Sequence, residues 1–314
     1  MSTSLVRRYS LTGIVALAGF SACAAAASAP PAALGATTAP RTLTAWAPLV
    51  SRLPSDASAS GLLYVADPLA EAIEIYKADV NSSPIGSISM GIAGPLGLAI
   101  HGGTLYVAEN TKNSIVEYAH GSKVPTATLS GTANPIGVAV GNDGTVYACS
   151  GVANTCNEYA PGATSPTLTL SIPCPFAPAV DAADNLYVAY NGCNGTTGVV
   201  RFAPGSTRGT DLGISFTGAP ADIEVDREGN ILVGDPRKGR INVYRPGGHM
   251  RFRTIATGYP YMFTLDRNET TLYVAGGSNF PAVVVAFDYA SGQELGTITS
   301  GLTSSSGIAG KPAL

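Results

Sequence analysis

Short apolar runs alternate with polar turns along most of the chain, and residues 219–244 show the pattern most clearly. Pro220 enters a stretch in which Ile223 and Val225 are apolar, and the turn Asp226-Arg227-Glu228-Gly229-Asn230 follows. A second apolar run, Ile231-Leu232-Val233, leads to a charged turn from Asp235 to Arg240, and a third run ends on Tyr244. Period-two alternation bounded by Gly, Asp and Asn is the mark of strands joined by tight turns.

Variants of this unit recur. The second run returns as Leu63-Tyr64-Val65-Ala66, Leu105-Tyr106-Val107-Ala108, Val146-Tyr147-Ala148-Cys149, Leu186-Tyr187-Val188-Ala189 and Leu272-Tyr273-Val274-Ala275, at steps of 40 to 45 residues. The third run ends each time on an aromatic residue: Tyr76, Tyr118, Tyr159, Phe202, Tyr244 and Phe287. Prolines (Pro95, Pro135, Pro175, Pro220, Pro260) open an inner run of small and branched residues, where a missing N–H costs no ladder bond. A Thr/Ser-rich fourth run suits an outer edge. Four antiparallel strands repeated every ~40 to 45 residues predict propeller blades. The fold expected is therefore all-β, a six-bladed β-propeller over residues 59–314. Ser305-Ser306-Gly307-Ile308-Ala309 matches an inner strand with no partner after it, so this C-terminal strand is expected to complete the first blade.

The unit P-A-D-I-E-V-D-R-E-G-N-I-L-V-G-D-P-R-K-G-R-I-N-V-Y resembles an NHL repeat. That resemblance, over roughly residues 61–310, implies a six-bladed ring used mostly as a binding platform, although some relatives are metal-dependent enzymes. The Pro-Asn-Gly of the propeller lactonases is replaced here by Pro95-Leu96-Gly97 and Pro135-Ile136-Gly137.

Composition adds compartment and partner class. Arg7 and Arg8 precede an apolar core too short to span a bilayer, so residues 1–22 read as a signal peptide. The box Gly19-Phe20-Ser21-Ala22-Cys23 resembles a lipoprotein cleavage site and marks Cys23 for lipidation. Residues 23–58, rich in Ala, Pro, Thr and Ser, read as a tether. Net charge is −3 with no extended Lys/Arg face, which argues against nucleic acid. A monomer is expected, touching a membrane only through the N-terminal lipid and placed in the periplasm or on the cell surface. Cys149, Cys156, Cys174 and Cys193 then read as disulfides, Cys149 with Cys156 and Cys174 with Cys193.

Candidate chemistry falls in two places. Phe176, Tyr190, Tyr259, Tyr261 and Phe280 break the repeat and, with Asp235, Arg237, Lys238 and Arg240, map to one face. That face is expected to bind a protein, peptide or glycan without catalysis or cofactor. Asp222 and Glu224 stand on an inner strand where other blades carry Gly97 and Ala99 or Gly137 and Ala139. With Asp67 or Glu109 they form the alternative: a site for calcium or another divalent cation in a metal-dependent hydrolase or lyase.

Overall fold

A computed structural model describes residues 61–192, 195–276 and 282–310. The expected signal peptide, the tether and the lipidation site Cys23 lie outside the described residues, as do Cys193 and Phe280. Among the described residues no helix is long and apolar enough to cross a membrane.

Six four-stranded antiparallel sheets make up the described chain. Blade 1 contains β1 (Leu62–Asp67), β2 (Ala72–Lys77) and β3 (Gly86–Ile88), and blade 2 contains β4 (Pro95–His101), β5 (Thr104–Glu109), β6 (Ser114–Tyr118) and β7 (Ala127–Ser130). Blade 3 runs through β8 (Gly137–Val140), β9 (Val146–Ser150), β10 (Thr155–Tyr159) and β11 (Leu168–Ser171). Blade 4 holds β12 (Pro175–Val180), β13 (Leu186–Asn191), β14 (Thr197–Phe202) and β15 (Thr210–Asp211). In blade 5 are β16 (Ile223–Val225), β17 (Ile231–Asp235), β18 (Arg240–Tyr244) and β19 (Arg251–Ala256). Blade 6 has β20 (Met262–Leu265), β21 (Thr271–Ala275), β22 (Val284–Asp288) and β23 (Glu294–Ile298). The last strand, β24 (Ile308–Ala309), pairs with β1 as the inner strand of blade 1. The ring thus closes as expected, and β1 is covered on its inner side instead of standing at the sheet edge. The outer strand of blade 6 is β23, and its pairing with β22 shifts register between Ala286 and Phe287.

Each interface between neighbouring blades holds one apolar cluster, six in all among the described residues. The periodic aromatic residues supply them, and most of the second-strand tyrosines are buried there. Three third-strand tyrosines also use their hydroxyls on the connection entering their blade: Tyr76 donates to Ser300 O, Tyr118 to Met90 O and Tyr159 to Ser130 O. A buried phenol needs such a partner, so one residue type both fills the interface and ties down the incoming loop.

Near the axis, backbones replace side chains. A Cβ on Gly137 would lie 2.6 Å from Pro178 Cδ and 3.0 Å from Ala177 Cα, and one on Gly307 would overlap Leu96 O. Closure is fixed by Asp67, at the end of β1. It accepts from the Thr303 and Ser304 N–H groups at 2.6 and 3.0 Å and from both hydroxyls.

Alternating strand direction gives the ring two faces. The upper face carries the connections between blades and the turns between second and third strands; the lower face carries the other turns. Because β1 runs upward and β24 downward, Gly61 and Gly310 both lie on the lower face.

Candidate functional site

The inner strands enclose an axial channel of about 130 Å³. Its polar side chains are Asp222, Glu224 and Thr264; the rest of the lining is apolar or glycine. Asp222 Oδ2 accepts the Phe263 N–H at 2.8 Å and its Oδ1 the Ile223 N–H at 2.9 Å. Glu224 accepts the Leu265 N–H at 3.0 Å. Phe263 and Leu265 belong to β20, so two acids two residues apart on blade 5 meet two amides two residues apart on blade 6. They act as a strand's carbonyl row would, filling the gap that glycine elsewhere lets the next backbone close. Burial pushes the Asp222 carboxyl well above its ordinary value; the two amides pull it down less strongly, and the Glu224 charge raises it further.

The four carboxylates considered for a cation do not converge, and among the described residues no three His, Cys, Asp or Glu side chains are placed to hold a metal ion. Asp67 is spent on the closing segment. Glu109, at the end of β5, is fully buried and caps the connection into blade 2, accepting the Ala93 and Gly94 N–H groups at 2.9 and 3.0 Å. Both acids end a second strand, where a carboxylate meets the orphan amides of the crossover beside it, and neither reaches the axis. Burial raises the Glu109 carboxyl above its usual value, and these amides oppose the shift.

On the upper face the expected residues separate. Phe176 is only 8% exposed, a core side chain of β12 and not a surface aromatic, because it sits inside an inner strand packed on blade 3. Tyr190 lies over Gly198, its cross-strand partner, and its hydroxyl donates to Asp211 at 3.3 Å. Asp235 is buried; its carboxylate accepts the Lys238 N–H, capping the 3-10 turn Pro236–Lys238, and lies 3.7 Å from Arg240 Nε. Tyr261 is half-buried against the core between blades 6 and 1, and burial raises its hydroxyl above the ordinary range.

What remains outward is a cluster at the top of blade 5. Tyr259 is 38% exposed, and Arg237 and Lys238 are exposed on the adjoining upper-face turn. Their backbones are knitted together: the Thr257 and Gly258 N–H groups donate to Gly239 O at 3.0 and 3.1 Å. Arg237 Nη1 donates to Thr217 O at 2.9 Å, and its chain covers Gly218. Half-buried Phe216, next to Thr217 in sequence, packs on the core between blades 4 and 5, a residue that the repeat pattern did not single out. A signal existed. From second-strand marker to third-strand aromatic the spacing is 13 residues in blades 1, 2, 3 and 5, but 16 in blade 4 and 15 in blade 6. In blade 4 they lengthen β13 and β14 as well as the segment between them, and in blade 6 they fall between Ala275 and Val284.

Cys149 and Cys156 face each other across β9 and β10 and are joined by a disulfide, as expected. Cys174 is also disulfide-bonded; its expected partner, Cys193, lies outside the described residues.

No family model matches the chain, and no curated protein matches it. Solved structures do. A structure titled as a nidogen/laminin complex aligns with a TM-score of 0.65 at 16% identity, covering 79% of this chain and 97% of that one. A functionally unknown protein from Desulfotomaculum acetoxidans gives 0.58 at 16% identity, covering 81% and 100%. Hydrazine synthase of Kuenenia stuttgartiensis gives 0.56 at 17% identity, covering 72% and 73%. At these identities the likeness establishes the propeller fold and nothing further.

Proposed function

We propose that the protein is an exported, NHL-like propeller, anchored through Cys23, that serves as a binding platform for a protein, peptide or glycan at the cell envelope. The observation that carries this reading is that exposed Arg237, Lys238 and Tyr259 stand on neighbouring segments at the top of blade 5, joined by backbone hydrogen bonds, with Arg237 also bonded to the segment of Phe216 and Thr217. An amphipathic ring beside cationic side chains is a common anchor for such partners. The repeat departs from its spacing in the flanking blades 4 and 6, as a scaffold with variable recognition loops does. Two further facts support it. The Cys149–Cys156 bond belongs to an oxidising compartment. Both ends of the described ring leave from the lower face, so neither described chain end covers the upper face. That one matched structure is of a protein–protein complex is in keeping with this role.

Photo-crosslinking tests the reading. A benzoylphenylalanine at position 259, in cells making the protein, is expected to give one dominant adduct that the Arg237→Ala/Lys238→Ala variant loses. The same probe at position 152, elsewhere on the upper face, is expected to give none. Equal adducts at both positions, or none at 259, would remove the basis for the proposal.

A further inference from the structure

The lower corner of blade 5 carries a second surface of different character. Met250 is 68% exposed and Phe252, in β19, is 43% exposed, although both are large and apolar. Arg245 stacks its guanidinium 4.5 Å from the centre of the Phe252 ring. Arg251 reaches Asn242 Oδ1 at 3.4 Å, and His249 is exposed beside Met250. Among the described residues neither Arg245 nor Arg251 pairs with a carboxylate. The chain as a whole is acidic, at −3, so this concentration of unpaired cations around exposed apolar side chains runs against its composition.

Position strengthens the case. The turns between third and fourth strands are on the lower face, and two others there also expose an apolar residue, Ile85 in blade 1 and Val124 beside Lys123 in blade 2. Gly61 and Gly310 leave from this face too. Apolar tips flanked by arginines suit the boundary between headgroups and acyl chains, where the side chains enter the hydrocarbon edge and the guanidiniums meet anionic phosphates.

We propose that this corner, centred on Met250, Phe252, Arg245 and Arg251, docks on an anionic lipid surface. It would be a second membrane contact beside the N-terminal lipid. The lipid-binding property stands independently of what the upper face recognises; only its use as a second contact rests on the anchored reading.

The test uses single-tryptophan reporters. Trp46 is the only tryptophan, so the full chain carrying Trp46→Phe and Phe252→Trp reports on this corner, and one carrying Trp46→Phe and Tyr259→Trp reports on the upper face. Vesicles of 30% phosphatidylglycerol in phosphatidylcholine are expected to shift emission to the blue at position 252 and not at 259. Pure phosphatidylcholine is expected to give a much weaker response. Reversing Arg245 and Arg251 to Glu removes the attraction of two cations and adds two repulsive charges, so partitioning to anionic vesicles should fall by at least roughly thirty-fold, less at high salt. An unchanged spectrum at 252, a shift of equal size at 259, or a shift at 252 caused by polyglutamate and not by vesicles would overturn the proposal. The crosslinking experiment at 259 can succeed or fail irrespective of these outcomes.

Discussion

Asp222 offers a sharp quantitative test, because its two functions, accepting an amide and carrying a charge, can be removed separately. Asp222→Ala takes away the acceptor of the Phe263 N–H, whose hydrogen bond is 2.8 Å long. A buried amide left without a partner costs about 1–3 kcal/mol. For a domain of this size each kcal/mol moves Tm by about 2–4 °C, so the loss should be roughly 2–12 °C. Asp222→Asn keeps an acceptor and removes the charge. Because burial raises the Asp222 carboxyl, its ionised form opposes folding at neutral pH, and the Asn variant should melt at or above the wild type there. The pH dependence follows with the same sign. A carboxyl raised in the folded state contributes stability that is complete below its unfolded value of about 3.9 and is lost as pH rises through the folded one. Wild type should therefore gain stability relative to Asp222→Asn as pH falls from 8 to 5. Thermal melts of the three proteins at both pH values check this. If Asn proves as damaging as Ala, or Ala is silent at both pH values, the carboxylate is not a stitch between blades.

Other consequences are tested more briefly. Replacing both Cys149 and Cys156 by Ser opens a loop of eight residues and should cost about 2.5 kcal/mol on a chain-entropy estimate, read as a lower urea midpoint than wild type without reductant. Asp67→Ala strands the Thr303 and Ser304 amides at the closure; it should cost more than about 3 kcal/mol and make residues 303–310 sensitive to limited proteolysis. On the lower face the Arg227 N–H donates to Glu269 at 3.0 Å, as the Asn142 N–H does to Asp184 at 2.6 Å. Glu269→Ala should loosen blades 5 and 6 there, seen as faster hydrogen exchange at Arg227 with the fold intact.

Repetition made the fold legible. Two independent markers kept one period, and an unpaired inner strand at the C-terminus could close only on blade 1. The acids at 222 and 224 were visible as departures from Gly and Ala, but their role was not. It depends on which amides of the next blade lie opposite, a register set by packing some 41 residues away in sequence. Asp67 and Glu109 resembled ligands because both end a second strand with a carboxylate, and only the crossover amides beside them show that they are caps. Phe176 stood out by breaking the repeat, yet it is buried within β12. Arg237, Lys238 and Tyr259 were legible because the repeat register alone assigns their turns to the upper face.

The central claim is that recognition belongs to the top of blade 5. Hydrogen exchange over the whole ring, with the protein alone and bound to its own cell-envelope fraction, tests it most directly. Slowed exchange is expected to concentrate in residues 214–218, 236–240 and 257–261. Protection confined to other blades of the upper face, or no difference in those three segments, would contradict it.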